Sequence, residues 1–236
     1  MNQGTLFLLP TTLGDSDLKA VLPSFNNEIT ISLHYFIVEE LRTARRFLKK
    51  VDRGFDIDGS VFFTLNEHTP ADEVASFLDP LRAGHDMGLL SEAGCPAVAD
   101  PGADAVAIAQ REGIKVVPLV GPSSILLALM GSGFNGQRFS FRGYLPVDSD
   151  VRQKEVKRME ARACQEAETQ IFIETPYRNR KTLADLLARC QPSTRLCVAC
   201  DLTLPSQYLV TKTVREWRSV SLPDIDKRPA IFLLYR

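Results

Sequence analysis

The stretch "LLSEAGCPAVADPG" (89–102) gathers a hydroxyl (Ser91), a carboxylate (Glu92), a thiol (Cys95), two glycines and two prolines directly after an apolar run. Glycine lets a backbone approach a ligand closely. Proline fixes a loop, so its N–H and C=O groups need little reordering on binding. A plain strand-to-helix connection with Asp100 as helix cap would use the same residues structurally. Two further stretches have the same form. "LLPTTLGD" (8–15) runs from an apolar strand into Pro and Gly, and "VVPLVGPSS" (116–124) runs from a strand into Gly-Pro and a serine pair. Hydroxyls and unpaired N–H groups at the start of a helix suit a polar ligand. In open α/β sheets ligands lie beyond the carboxyl ends of strands. Three such loops of one type therefore predict one shared cleft.

Glu39, Glu40, His68, Glu92 and Glu174 are the residues that could take up a proton beside such a ligand. His68 follows a strand in "LNEHTP" and has the right chemistry for an acid or base near neutral pH; capping or a surface position is the favoured reading, because most histidines do structural work. Glu40 and Arg42 could hold a substrate, or form a solvated helix face with i,i+4 charge pairs. Basic residues gather at Arg42, Arg45, Arg46, Lys49, Lys50 and Arg53, and at Arg178, Arg180 and Lys181. Either group could meet phosphates. Tyr144 and Tyr177 could stack a base or fill a core. No metal site is expected: Cys197 and Cys200 form a single C-x-x-C, and His34, His68 and His85 have no ligand spacing. On a strand, the two cysteines would point to opposite faces as buried thiols. "GSGFNG" (131–136) fits G-x-G-x-x-G but follows a helix and precedes a strand, so it is not a dinucleotide fingerprint. There is no P-loop and no G-x-S-x-G elbow.

The elements that must position these residues alternate in type. Strands are predicted at 5–9, 31–38, 61–65, 88–90 and 115–119, with helical patterns at 38–50, 70–83 and 103–113 between them. This indicates a mostly parallel α/β layer. The second half reads as an apolar helix (123–133), a strand (138–145), a charged helix (151–167), a strand (169–174), a helix (178–190) and strands at 195–202, 207–213 and 230–236. Its clustered strands imply a mixed α+β domain. The expected division is 1–117 and 118–236, within 236 residues. A chain of this size buries roughly 70–75% of its unfolded surface without needing disulfides or metal. Its formal charge of −1 supplies no global field for nucleic acid, which would have to find a local patch. The longest apolar run, "ILLALM", is far short of a membrane span. "MNQGTLFLLP" lacks the basic start of a signal peptide. An odd count of five cysteines suits reduced thiols, and a cytoplasmic location is expected.

Taken together, "GTLFLLPTTLGD", "LLSEAGCPAVADPGADAV", "VVPLVGPSSILLALMGSGF" and "RFSFRGYLP", continued at "IFIETPYRNRKTLADLL", resemble the tetrapyrrole-methylase-like S-adenosylmethionine (SAM) methyltransferases. Within them the chain is most similar to the branch that 2′-O-methylates a cytidine of small-subunit ribosomal RNA. The resemblance implies two α/β domains, the first with a mostly parallel sheet and the second with a mixed sheet. SAM would lie in the interdomain cleft, and the working form would be a homodimer. It implies SAM contacts at Pro10, Leu13 and Gly14; at Ser91, Glu92, Ala93, Gly94, Cys95, Pro96 and Val98; at Gly121, Pro122, Ser123 and Ser124; and at Glu174 and Leu202.

Glu40, His68 and Glu92 are the catalytic candidates, and Arg42, Tyr144, Tyr177 and Arg178 the substrate-binding ones, with rRNA or the small ribosomal subunit as partner. The chain departs from the branch in three places. It has Glu92 where Asp is usual, Glu39-Glu40-Leu41-Arg42 where the branch has Glu-Asp-Thr-Arg, and Leu204 where it has Lys. The donor side is thus expected to be kept and the acceptor side altered. The alternatives are methylation of a tetrapyrrole or other small molecule, and a SAM-binding protein without turnover.

Overall fold

The computed structural model describes residues 3–66 and 68–236. They form two compact units, one ending at Ser123 and the other beginning at Ser124.

The first unit contains β1 (Thr5–Leu9), α1 (Leu18–Val21), α2 (Ser24–Ser32), β2 (Tyr35–Val38), α3 (Leu41–Val51), β3 (Val61–Thr64), α4 (Ala71–Ser76), α5 (Asp79–Arg82), β4 (Met87–Leu90), α6 (Ala103–Arg111) and β5 (Lys115–Pro118). Its sheet has the order β3-β2-β4-β1-β5, and every pairing is parallel. Alternate residues of each strand feed two cores. Leu6, Leu8, Ile37, Met87 and Leu89 pack with α4, α5 and α6. Leu9, Phe36, Val38 and Leu90 pack with residues from α1 and α3. Period-two alternation in nearly continuous apolar strands thus builds a sheet covered on both faces. Residues 119–123 stay with this unit: the Leu119 N–H donates to the Leu8 carbonyl (3.0 Å) and the Asn26 amide to the Val120 carbonyl (2.8 Å).

Two expectations need correction. The predicted strand 31–38 is a strand only from Tyr35, because Ser24–Ser32 is the helix α2. Its buried Asn26 and Thr30 lie one turn apart, with the Thr30 hydroxyl bonded to the Asn26 carbonyl (2.7 Å). The short run "ITISL" does not distinguish helix from strand by period. The predicted helix 70–83 breaks at Phe77–Leu78, because Pro80 cannot continue a helix and instead opens α5.

The second unit contains α7 (Ser124–Ser132), β6 (Phe139–Tyr144), α8 (Ser149–Gln165), β7 (Thr169–Ile173), α9 (Asn179–Arg189), β8 (Arg195–Cys200), β9 (Tyr208–Thr213), α10 (Val214–Trp217) and β10 (Ala230–Tyr235). A single 3₁₀ turn, Pro176–Arg178, precedes α9. The sheet order is β6-β7-β10-β8-β9, with β6–β7 parallel and the other pairs antiparallel. One face packs with residues from α8, α9 and α10 around Phe172, Phe232 and Trp217, whose indole N–H donates to the Leu196 carbonyl (2.9 Å). The other face receives α7, where the Thr211 hydroxyl donates to the Ser132 carbonyl (2.9 Å). Burial pushes the Cys197 and Cys200 thiols up to about 11, which leaves them unreactive.

Candidate functional site

The strand order brings the candidate loops together. β4 lies between β1 and β2, and its following helix α6 covers one face of the sheet. Helices α1 and α3, which follow β1 and β2, cover the other. Crevices therefore open beside the carboxyl end of β4, where chain directions diverge. Here the loop after β4 meets the loop after β1. The Thr11 N–H and the Ser91 hydroxyl both donate to the Gly94 carbonyl (2.9 and 2.8 Å), and the Thr11 hydroxyl donates to the Ser91 carbonyl (3.3 Å). The loop after β5 joins them. The Cys95 thiol contacts the Pro122 carbonyl (3.4 Å), and a Cβ on Gly121 would fall 2.2 Å from Cβ of Pro10. Gly94 is buried with φ +79°, and a Cβ there would lie 3.0 Å from Leu13 and 3.1 Å from the Pro122 carbonyl. All three loops read from the sequence converge on this residue.

The same loop carries backbone strain. Ala97 (φ 63°) and Ala99 (φ 56°) adopt the left-handed conformation, which costs roughly 1–2 kcal/mol per non-glycine residue. Asp100 holds this shape by accepting from the N–H groups of Gly102 (2.7 Å) and Ala97 (3.3 Å). Burial raises its carboxyl above the ordinary range, and these two N–H groups pull it back down. Such strain persists where the surroundings enforce it, commonly at ligand clamps.

A cleft of about 450 Å³ lies on the α3 side of the first two loops. Its walls are Thr11–Asp15, Ser91–Ala93 and one stripe of α3: Thr43, Arg46, Phe47 and Lys50. Glu92 remains exposed, but partial desolvation of its carboxylate here raises its pKa above the ordinary range. The Thr43 hydroxyl beside it lowers it, the Glu40 charge raises it, the Glu40 N–H lowers it and Asp100 raises it. Glu40 caps α3, accepting from the Arg42 N–H (3.0 Å). Lys50 is tied to Asp15 (2.7 Å) and to the Ser16 carbonyl (2.8 Å).

The remaining sequence candidates are placed as follows. Pro96 is buried and Val98 half exposed within the strained loop. Arg42 is exposed on the first turn of α3, and neither it nor His68 lines the cleft. His68 is exposed beyond the edge strand β3, its N–H bonded to the Asn66 side chain (2.9 Å). Ser123 ends the first unit and Ser124 opens α7. In the second unit, Tyr144 and Tyr177 are exposed. Leu202 is buried between Asp201 and Thr203, both left-handed (φ 50° and 73°), and Arg228 braces Asp201 (2.8 Å).

Glu174 and Arg178 form one ion pair. The fully buried carboxylate also accepts from the Thr182 hydroxyl (3.0 Å) and the Thr175 N–H (2.7 Å), and the guanidinium donates to the Leu145 carbonyl (3.2 Å). These bonds account for the Glu174 carboxylate, whereas the Arg178 Nη1 is buried without a hydrogen-bond partner among the described residues. Arg178→Leu is expected to cost about 3 kcal/mol, the low end for breaking a buried pair, because the arginine side chain is 24% exposed. Urea denaturation checks this, and a loss below about 1 kcal/mol would contradict a structural pair.

Among the described residues no group of His, Cys, Asp or Glu is placed to hold a metal ion, and no helix is long and apolar enough to cross a membrane. Comparison with known proteins identifies the architecture. Residues 25–217 match the model of the Tetrapyrrole (Corrin/Porphyrin) Methylases. The chain belongs to the tetrapyrrole methylase family.

Among solved structures, this tetrapyrrole methylase shares its fold with the methyltransferase CobJ (TM-score 0.63, 15% identity, covering 100% of this chain and 99% of that one). It also matches uroporphyrin-III-C-methyltransferase from Thermus thermophilus (TM-score 0.55, 16% identity, 98% and 92%). In sequence it is similar to proteins named ribosomal RNA small subunit methyltransferase I. That of Escherichia coli O157:H7 is 31% identical over 86% of this chain and 66% of its own length. That of Vibrio cholerae is 30% identical over 84% and 65%. The chain thus spans about two-thirds of the length of these curated relatives.

Several residues in and beside this tetrapyrrole methylase's cleft escape a sequence reading. Thr43 and Phe47 carry no motif, although Thr43, Arg46/Phe47 and Lys50 recur at helical spacing and so share one face. Arg46 and Lys50 are visible only as members of a basic cluster. Ala97 and Ala99 give no sign in the sequence of their left-handed backbone.

Proposed function

We propose that the chain is a SAM-dependent methyltransferase acting on ribosomal RNA, at the ribose 2′-hydroxyl of a small-subunit cytidine, working as a cytoplasmic homodimer. The observation that carries this reading is the convergence of the three strand-end loops on Gly94. Its left-handed backbone and close neighbours leave no room for a side chain, and glycine lets loops packed this closely present main-chain groups to a ligand. The relatives at 30–31% identity bear a ribosomal RNA name, whereas the tetrapyrrole enzyme shares only the fold, at 16%. That contrast favours RNA over a small-molecule acceptor.

In this reading Pro10, Leu13, Gly14, Ser91, Gly94, Cys95, Gly121 and Pro122 hold the cofactor. When bound, SAM supplies a methyl group activated by its sulfonium charge. The chain's own task is to orient the acceptor, exclude water and take up one proton. Glu92 is suited to the last role. Its carboxylate lines the cleft, and partial desolvation holds its pKa above the ordinary range, which makes it a stronger base. Glu40 supports it by capping α3 and presenting its N–H. Glu40→Ala is expected to leave SAM affinity within about twofold, to cost about 1 kcal/mol of stability as a lost helix cap, and to reduce turnover. A fall in SAM affinity instead would place the cofactor on the α3 side.

The direct test is calorimetric titration with SAM and with S-adenosylhomocysteine, followed by methyl transfer to small ribosomal subunits that lack the modification. Binding of both, with transfer to the subunits, supports the assignment. Failure to bind either overturns it, and binding without transfer to any RNA overturns the acceptor.

A further inference from the structure

The loop after β4 has two faces. Gly94 and Cys95 contact the loops after β1 and β5. Glu92 and Ala93 line the cleft of about 450 Å³ beside α3, and Leu13, Gly14 and Ser91, given above to the cofactor, line it too, so the cleft adjoins the donor's place. That volume lies within the roughly 300–1,000 Å³ typical of small-ligand sites and suits one nucleotide. Its wall chemistry is specific. Thr11, Thr12 and Thr43 supply hydroxyls, and Glu92 supplies a carboxylate. Two cations line it, but Lys50 is already neutralised by Asp15. Arg46 has no hydrogen-bond or ion-pair partner among the described residues. An exposed planar guanidinium without a partner, beside a cleft whose walls offer hydroxyls, matches a phosphate. Arg42 and Arg45 extend the positive surface along α3, which a chain of formal charge −1 requires if it is to attract a polyanion.

We propose that this cleft seats one nucleotide of a single-stranded RNA acceptor, with its phosphate on Arg46 and its ribose hydroxyl toward Glu92. This deepens the methyltransferase reading and rests on it for the role of Glu92. The phosphate sets register on the protein, and the hydroxyl side reads ribose. Asp15 pairs with Lys50, which leaves Arg46 as the cation lining the cleft without a partner among the described residues.

The test is fluorescence anisotropy with a short, labelled, cytidine-containing RNA, alongside SAM titration of the same proteins. Arg46→Glu is expected to weaken RNA binding at least ~10-fold and to lower the salt slope by about one. SAM affinity should stay within about twofold. Arg46→Gln, which keeps a hydrogen-bonding side chain without charge, should give an intermediate loss. Arg158→Glu, on exposed α8 beside Glu155, should change little. Equal losses for Arg46→Glu and Arg158→Glu, or no RNA binding by the wild type, would overturn the proposal. So would loss of SAM rather than RNA in Arg46→Glu, which would make the cleft the donor's. RNA binding through Arg46 in a protein that binds no SAM would support the nucleotide cleft while overturning the methyltransferase reading.

Discussion

Gly94→Val is expected to abolish SAM binding, by at least ~100-fold, in a protein that still folds. The reasons are local. At φ +79° a β-branched residue is strained, and the new Cβ would press on Leu13 and on the Pro122 carbonyl, 3.0 and 3.1 Å away. The Gly94 carbonyl would shift, and with it the Thr11 N–H and Ser91 hydroxyl that converge on it. The strain itself is worth about 1–3 kcal/mol, which lowers the melting temperature by a few degrees in a chain of this size. The loss of binding is the larger effect, because a factor of 100 corresponds to about 2.8 kcal/mol of ligand contact. Calorimetry on the folded variant checks it, and Gly94→Ala provides a milder version should valine prevent folding. Full SAM affinity in either folded variant would remove these loops from the donor site.

The second large effect is on turnover. Glu92→Gln should slow methyl transfer by about 10²–10⁴-fold, the range for a lost general base, while SAM affinity is retained. It also carries a signature in stability that a damaged fold would not show. Burial raises the Glu92 carboxyl above the ordinary carboxylate range. Thr43 opposes this, and the Glu40 and Asp100 charges reinforce it. The charged groups lining the rest of the cleft are Arg46 and Lys50 from α3 and Asp15 from the β1 loop.

A carboxyl whose folded-state pKa lies above its unfolded value stabilises the fold fully below the unfolded pKa. It loses that contribution as pH rises through the folded one. Glutamine resembles the protonated form at every pH. Wild type and variant should therefore melt together near about pH 4, and the variant should melt no lower, and measurably higher, near about pH 8. Turnover of the wild type should rise with pH through the same raised window. Unchanged turnover in Glu92→Gln would sink the proton-acceptor role, and a variant that melts lower at the higher pH would contradict the desolvated carboxylate.

Most of the fold is legible in the sequence because it is built by short-range rules. "TLFLL" is β1 to the residue, since an apolar run bounded by Pro10 has no other use of that length. The parallel first sheet follows from strands alternating with helices, and the mixed second sheet from strands clustered near the C-terminus. α2 is less legible because "ITISL" satisfies both periods. Its helix is selected by the core it covers and by the bond from Asn26 to Val120, far along the chain. The break at Leu78 is written in Pro80, but only the packing of Phe77, Leu78 and Leu81 into one core gives both halves a place.

The candidate site divides along the same line. Glycine and proline mark the three loops whatever surrounds them, because both act on their own backbone dihedrals. The sequence by itself therefore determined which segments could form a rigid, close-approaching wall, and that Glu92 lies in one of them. It could not determine what that wall faces. The order β3-β2-β4-β1-β5 inserts a strand formed late in the chain between two formed early, and so sets Glu92 against Thr43 and Glu40 of α3. Neighbour order in a parallel sheet is settled by the burial of whole faces, not by any local residue pattern. Only the tertiary structure, for that reason, turned a loop rich in glycine and proline into a cleft with a base and an unpaired cation on its walls.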